Sequence, residues 1–143
     1  MNLSDIKYIA IHCAATPPHV NVGAVEITRW HKARGWSDIG YHYVIRRNGV
    51  IEKGGRMMDE RGAHVKGFNN VSIGICLVGG VDAHQMAEDN FTDDQFRALK
   101  ELLRELRLIF PKAIIQGHRD FPDVRKACPS FEVKDWLEKE GIE

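Results

Sequence analysis

Hydrophobic positions along the chain fall into short apolar runs, alternating with stretches where they recur every three or four residues. Residues 6–12 (IKYIAIH) form a run rich in β-branched and aromatic side chains, closed by the turn-forming TPP and NVG, which predicts a buried strand ending on a histidine. Residues 24–34 place Ile27, Trp30, His31 and Arg34 at helical spacing, with Gly35 available just past the end. Residues 41–47 and 50–53 favour β structure and are separated by Asn48-Gly49, the dipeptide of a two-residue type I′ turn, so a hairpin is expected. Residues 54–70 hold four glycines and no sustained period, the pattern of a long loop over a functional face.

Residues 71–78 (VSIGICLV) read as a central strand buried on both faces. The best-specified helix begins at Thr92. TDDQ is a capping box, and Phe91 and Phe96 stand at the two positions of a hydrophobic staple. Leu99, Leu102, Leu103, Leu106, Ile109 and Phe110 carry its apolar stripe to Pro111, where the helix must stop. A last strand is expected at 113–118, again ending on a histidine, and a closing helix at 132–140 with Ser130 as cap and Gly141 beyond it. The order β-α-β-β-β-α-β-α predicts an α/β fold of α+β type, a mixed central β-sheet of about five strands with about three packed helices.

No repeat or linker interrupts this pattern, so residues 1–143 are taken as one domain. With 43% apolar residues the chain should bury about two-thirds of the surface it exposes when unfolded, without disulfide staples. Its 20 basic and 20 acidic residues cancel, which argues against a nucleic-acid partner. Three cysteines are an odd count, better suited to a reducing compartment or a ligand role than to a disulfide framework. The N-terminus lacks the apolar core of a secretion signal, and no segment is apolar enough to span a membrane, so no membrane association is expected.

The two strand-end histidines, His12 and His118, together with Cys128 supply imidazole and thiolate donors that suit Zn²⁺, one per chain, with a fourth position open. Spacing alone leaves the bland alternative standing, in which they are structural histidines and a core thiol. Lys126 stands two residues before Cys128 and is either a solvated base or the charge that stabilises an oxyanion. Tyr41 is either a strand aromatic or the phenol that holds an attacking water, and His64 is either an exposed loop residue or a peptide-groove donor to substrate. Cys76 and Cys13 are expected in the core, Cys13 on the face opposite His12. Trp30 and Trp36 are expected as core or groove wall, while His19, His31, His42 and His84 show no partner pattern.

In order along the chain, IHCAAT, NVGAVEITRWHKARGWSDIGYHYVI, the Asn-Gly hairpin, AHVKGFNNVSIGICLVGG, NFTDDQ and KACPSF resemble the zinc-dependent type-2 amidase and peptidoglycan-recognition-protein family. The resemblance spans nearly the whole chain. It implies a mixed sheet covered by helices, zinc ligands at His12, His118 and Cys128, and catalytic residues at Tyr41 and Lys126. It also implies a substrate, the amide between the lactyl group of N-acetylmuramic acid and L-Ala in bacterial peptidoglycan. The role would be a phage or prophage endolysin, acting as a monomer, made in the host cytoplasm and reaching the wall after release across the inner membrane. The rival class is a binding module, one that grips muropeptide without cutting it or one that inhibits a phage RNA polymerase, and non-catalytic sites of this kind typically lack the cysteine ligand that Cys128 provides. A further activity implied by the resemblance, inhibition of a phage RNA polymerase, is expected to be weak or absent because only eleven residues precede His12. The segment GHRDFPDVRKACPSF departs from the family pattern around Arg119 and Asp120, at the rim of the site.

Overall fold

The computed structural model describes residues 1–143. The elements follow the expected order: β1 (Tyr8–Cys13), α1 (Ala24–Ala33), β2 (Tyr43–Ile45), β3 (Ile51–Lys53), β4 (Ser72–Leu77), α2 (Asp93–Ile109), β5 (Ile114–Gly117) and α3 (Val133–Lys139). The five strands make one mixed sheet in the order β3-β2-β4-β1-β5. Only β2 and β3 run antiparallel; β1 pairs in parallel with β4 and β5, and β2 with β4. No helix is long and apolar enough to cross a membrane.

Alternation along the central strands separates two chemistries. Ile9, Ile11, Ile73, Ile75 and Leu77 point to one face, where Leu99, Leu102, Leu103 and Leu106 of α2 and Val133 and Leu137 of α3 cover them. The intervening Ala10, His12, Ser72, Gly74 and Cys76 face the other side, under α1 and the 54–70 loop. Large apolar side chains therefore build the core, and small or polar ones leave room on the opposite face.

Local details refine the expected elements. Thr92 caps α2 as predicted, its Oγ1 accepting from the Gln95 N–H at 3.0 Å, and the Phe91 and Phe96 rings meet at 5.9 Å. The hairpin turn differs from the expected type I′ form. Gly49 N–H donates to Arg46 O and Arg46 N–H donates to Val50 O, both at 2.9 Å, while Gly49 is the turn's residue with positive φ (+86°). The loop is thus three residues, Arg47-Asn48-Gly49, a type I turn completed by a left-handed glycine; type I′ requires positive φ at both central residues. Ser130 does not cap α3. Its hydroxyl donates instead to Gly80 O at 2.8 Å, and Glu132 occupies the cap position without a side-chain bond.

Gln95 ties these pieces together. Fully buried, it donates through Nε2 to Ile45 O (3.1 Å) and Val78 O (2.8 Å), while Oε1 accepts from Thr92 N–H (3.0 Å) and Arg47 Nη1 (3.2 Å). One amide thus satisfies the ends of β2 and β4 and the start of α2. Removing it orphans several buried groups, each costing about 1–3 kcal/mol. Gln95→Ala should therefore destabilise by roughly 3 kcal/mol or more in urea unfolding, against about 1 kcal/mol for the cap variant Thr92→Ala.

Candidate metal centre and active-site cleft

The register of β1 against β5 pairs Tyr8 with Ile114 and Ile11 with Gly117, so the next residues in each strand direction are His12 and His118. Their rings stand 4.6 Å apart between centroids. His12 is 1% exposed on β1, whereas His118 opens a short 3-10 turn (His118–Asp120) just past β5. The 121–130 loop brings Cys128 to the same point. Its Sγ lies 4.0 Å from His12 Nδ1 and accepts the Cys13 N–H at 3.2 Å. One ligand atom from each of His12, His118 and Cys128 falls within 4.8 Å of the others, a group that can hold a metal ion.

Arg119 anchors the loop that carries the thiol. Its N–H donates to Cys128 O (2.9 Å), Nη1 donates to Ala127 O (3.4 Å), and Nη2 pairs with Glu132 at 2.6 Å.

The donor set suits zinc electrostatically. Burial pushes the His12 imidazole well below its ordinary value, and the charges of His64, His118 and Lys126 lower it further. Burial, then Lys126, lowers His118 as well. Both rings are therefore neutral near pH 7, the form that ligates. The neighbouring Cys128 side chain brings the Cys13 thiol down to about 7, while Cys13 and burial push the Cys128 thiol well above its ordinary value. A cation held by Cys128 would favour its thiolate, and the Cys13 N–H is already aimed at that sulfur.

Tyr41 and Lys126 both lie near this group. The Tyr41 ring lies 5.1 Å from that of His12, and burial, with the Cys76, Cys128 and Cys13 thiols adding to it, pushes its phenol well above the ordinary value. Tyr41 precedes β2 instead of lying in it, because the strand pairs only from Tyr43. Lys126 is exposed at the edge of a cleft of about 480 Å³, whose walls include Trp36, Lys66, Asn69 and Arg125. Trp36 is groove wall, as one of its two expected placements had it, and Trp30 is 41% exposed on α1.

His64 borders this cleft but turns inward. It is 8% exposed, its Nδ1 lies 2.9 Å from His12 Nε2, and its Nε2 lies 3.4 Å from Ser72 Oγ, so neither ring nitrogen is left for the substrate contact expected of it. The sequence offered two hints: a histidine on a glycine-rich loop, and a glycine inside the β4 run. His31 and His42 are also buried, accepting from Gly40 and Gly74 N–H groups, while His19 and His84 are exposed. Cys76 is core and Cys13 lies opposite His12, as expected, but the contact of Cys13 with Cys128 was not foreseen.

An α/β domain with two imidazoles and a thiol converging at the carboxyl end of parallel strands, open on one side to a cleft, has the build of a metal-dependent hydrolase. Residues 2–131 match the N-acetylmuramoyl-L-alanine amidase family, and the chain belongs to it. Members of that family are in general zinc-dependent. The chain is 50% identical over 138 residues to an endolysin of Klebsiella phage KP32, covering 96% of this chain and 89% of that protein. It is 46% identical over 134 residues to an endolysin of Escherichia phage T7, with 94% and 87% covered. Among solved structures, the N-acetylmuramoyl-L-alanine amidase LysC from Clostridium intestinale superposes with a TM-score of 0.81 at 28% identity, over 97% of this chain and 87% of that one. The family and the mixed-sheet fold expected from the resemblance are both borne out.

Buried neutral imidazoles make the metal-free fold sensitive to acid. His12, His31, His42, His64 and His118 are all lowered, foremost by burial, His64 to about 3. Below an unfolded value of about 6.5 the unfolded chain takes up protons that the fold refuses, so stability is full above about pH 6.5 and falls as pH drops through the lowered values. The urea midpoint of chelator-treated protein should decline steadily from pH 7 to pH 5; a flat profile would contradict neutral burial.

Proposed function

We propose that the protein is a zinc-dependent N-acetylmuramoyl-L-alanine amidase, a phage or prophage endolysin. It hydrolyses the amide joining the lactyl group of N-acetylmuramic acid to L-Ala in bacterial peptidoglycan. The observation that carries this reading is the meeting of His12, His118 and Cys128 donor atoms within 4.8 Å in a chain of the amidase family. In this reading the protein is made in the cytoplasm of the infected cell and acts on the wall.

His12, His118 and Cys128 would hold zinc, two neutral imidazoles and one thiolate leaving one net positive charge and an open fourth position. Zinc bound there supplies Lewis acidity, polarising a carbonyl and lowering the pKa of a water toward about 7. The Tyr41 phenol, kept protonated by burial, orients the attacking water toward the amide carbon. Lys126 presents its ammonium at the cleft edge to stabilise the oxyanion that develops on the carbonyl oxygen. Lys66 and Arg125 beside it complement the carboxylates of a stem peptide lying in the cleft.

Chelation should abolish hydrolysis and lower the melting temperature, and Cys128→Ser should lose both activity and most of the metal, because a hydroxyl is a far poorer ligand than a thiolate. Full activity in a preparation shown metal-free by elemental analysis would sink the reading. Lys126→Ala and Tyr41→Phe should keep zinc and fold but lose roughly 10²-fold or more in turnover. Digested wall should release L-Ala amino groups, identified by mass spectrometry, and no new reducing sugar ends. Reducing ends rising in step with lysis would point to a glycosidase instead.

A further inference from the structure

Each ring nitrogen of His12 faces a different neighbour. Nδ1 is the edge turned to Cys128, at 4.0 Å, and Nε2 points away from the thiol to His64 Nδ1, at 2.9 Å. A nitrogen that ligates a metal carries no proton, so with Nδ1 as the ligand the His12 proton resides on Nε2. That makes His64 Nδ1 an acceptor and leaves the His64 proton on Nε2, which faces Ser72 Oγ at 3.4 Å. The Ser72 hydroxyl in turn donates to Phe68 O at 2.7 Å. The chain His12, His64, Ser72, Phe68 carbonyl then has a single polarity, every proton assigned and the last acceptor a backbone oxygen.

We infer that His64 is a positioning residue of the metal centre, accepting the His12 Nε2 proton and so fixing the tautomer and ring angle that present Nδ1 to the metal. This rests on the zinc reading above and deepens it. Two features show that the fold is built to hold the ring there. Asn69 Oδ1 accepts from both His64 N–H (2.8 Å) and Val65 N–H (2.9 Å), anchoring the backbone. The ring lies against glycine on two sides: a Cβ on Gly74 of β4 would come within 2.7 Å of His64 Cγ, and one on Gly62 within 2.7 Å of Cδ2. A glycine inside an otherwise apolar central strand is the mark of such a close approach.

The choice of imidazole has a consequence for charge. Metal-ligating histidines commonly donate to a carboxylate, which orients the ring and also makes it more basic. Here the thiolate already contributes one negative charge. A neutral acceptor orients His12 without adding a second, and so preserves the net positive charge that acts on water and carbonyl.

The test is zinc affinity, read by competition with a chromophoric chelator and independent of turnover. His64→Phe keeps an aromatic ring but has no acceptor, and it should bind zinc roughly 10- to 100-fold more weakly, with the circular dichroism of the metal-free protein retained. His64→Gln places a carbonyl acceptor near the same point and should recover part of the loss. Gly74→Ala leaves His64 in place chemically but crowds its ring, and should weaken zinc in the same direction; it and the Gln variant decide the matter if His64→Phe does not fold. Zinc binding by His64→Phe or Gly74→Ala within twofold of the unmodified protein, or equal impairment of the Phe and Gln variants, would overturn the role given to His64. Failure of the unmodified protein to bind zinc would instead overturn the metal reading itself.

Discussion

Parallel pairing of β1 with β4 on one side and β5 on the other determines where the chemistry falls, because strands that run the same way end at the same edge. An antiparallel β5 would carry His118 to the far end of the sheet. The observed register sets it beside His12, leaving the 121–130 loop only to deliver a thiol. Function in this fold is thus decided first by backbone hydrogen bonds and only then by side chains.

The same strands divide labour between their faces. The isoleucines and leucines under α2 and α3 supply apolar burial, worth about 25 cal/mol per Å², and so stabilise the frame. On the reverse face Ser72 and Gly74 give up that contribution and make room for His42 and His64. Polar groups packed there would be costly if unpaired, yet no buried side-chain nitrogen or oxygen lacks a hydrogen-bond partner. A rigid apolar layer on one side supports a fully paired polar layer on the other, as metal ligation with defined angles requires.

Much of this was legible in the chain because it rests on local physics. The capping box at Thr92, the stripe of α2 and the buried run of β4 each fit within one element, and the spacing of like residues reports them. The donor types were legible too, since a histidine closing an apolar strand is conspicuous. What escaped depends on distant partners. Gln95 sits in the capping box as any N3 glutamine would, and nothing in its neighbours tells that it also holds Ile45 and Val78. His64 lies 52 positions from His12 on a loop without a period, so its partner had no sequence signature. The hairpin turn departs from expectation for a different reason: Asn-Gly serves both two- and three-residue loops, and strand register, a tertiary property, selects between them.

The distance of 116 positions between His12 and Cys128 also sets a schedule. A ribosome adding about 5–20 residues per second places the first donor in the growing chain roughly 6–23 seconds before the last. Throughout that interval a nascent chain has His12 but not the Cys128 thiol that completes the group. The group of His12, His118 and Cys128 therefore cannot assemble until the 121–130 loop has been made and folded back onto the first strand, so the arrangement is complete only late in synthesis.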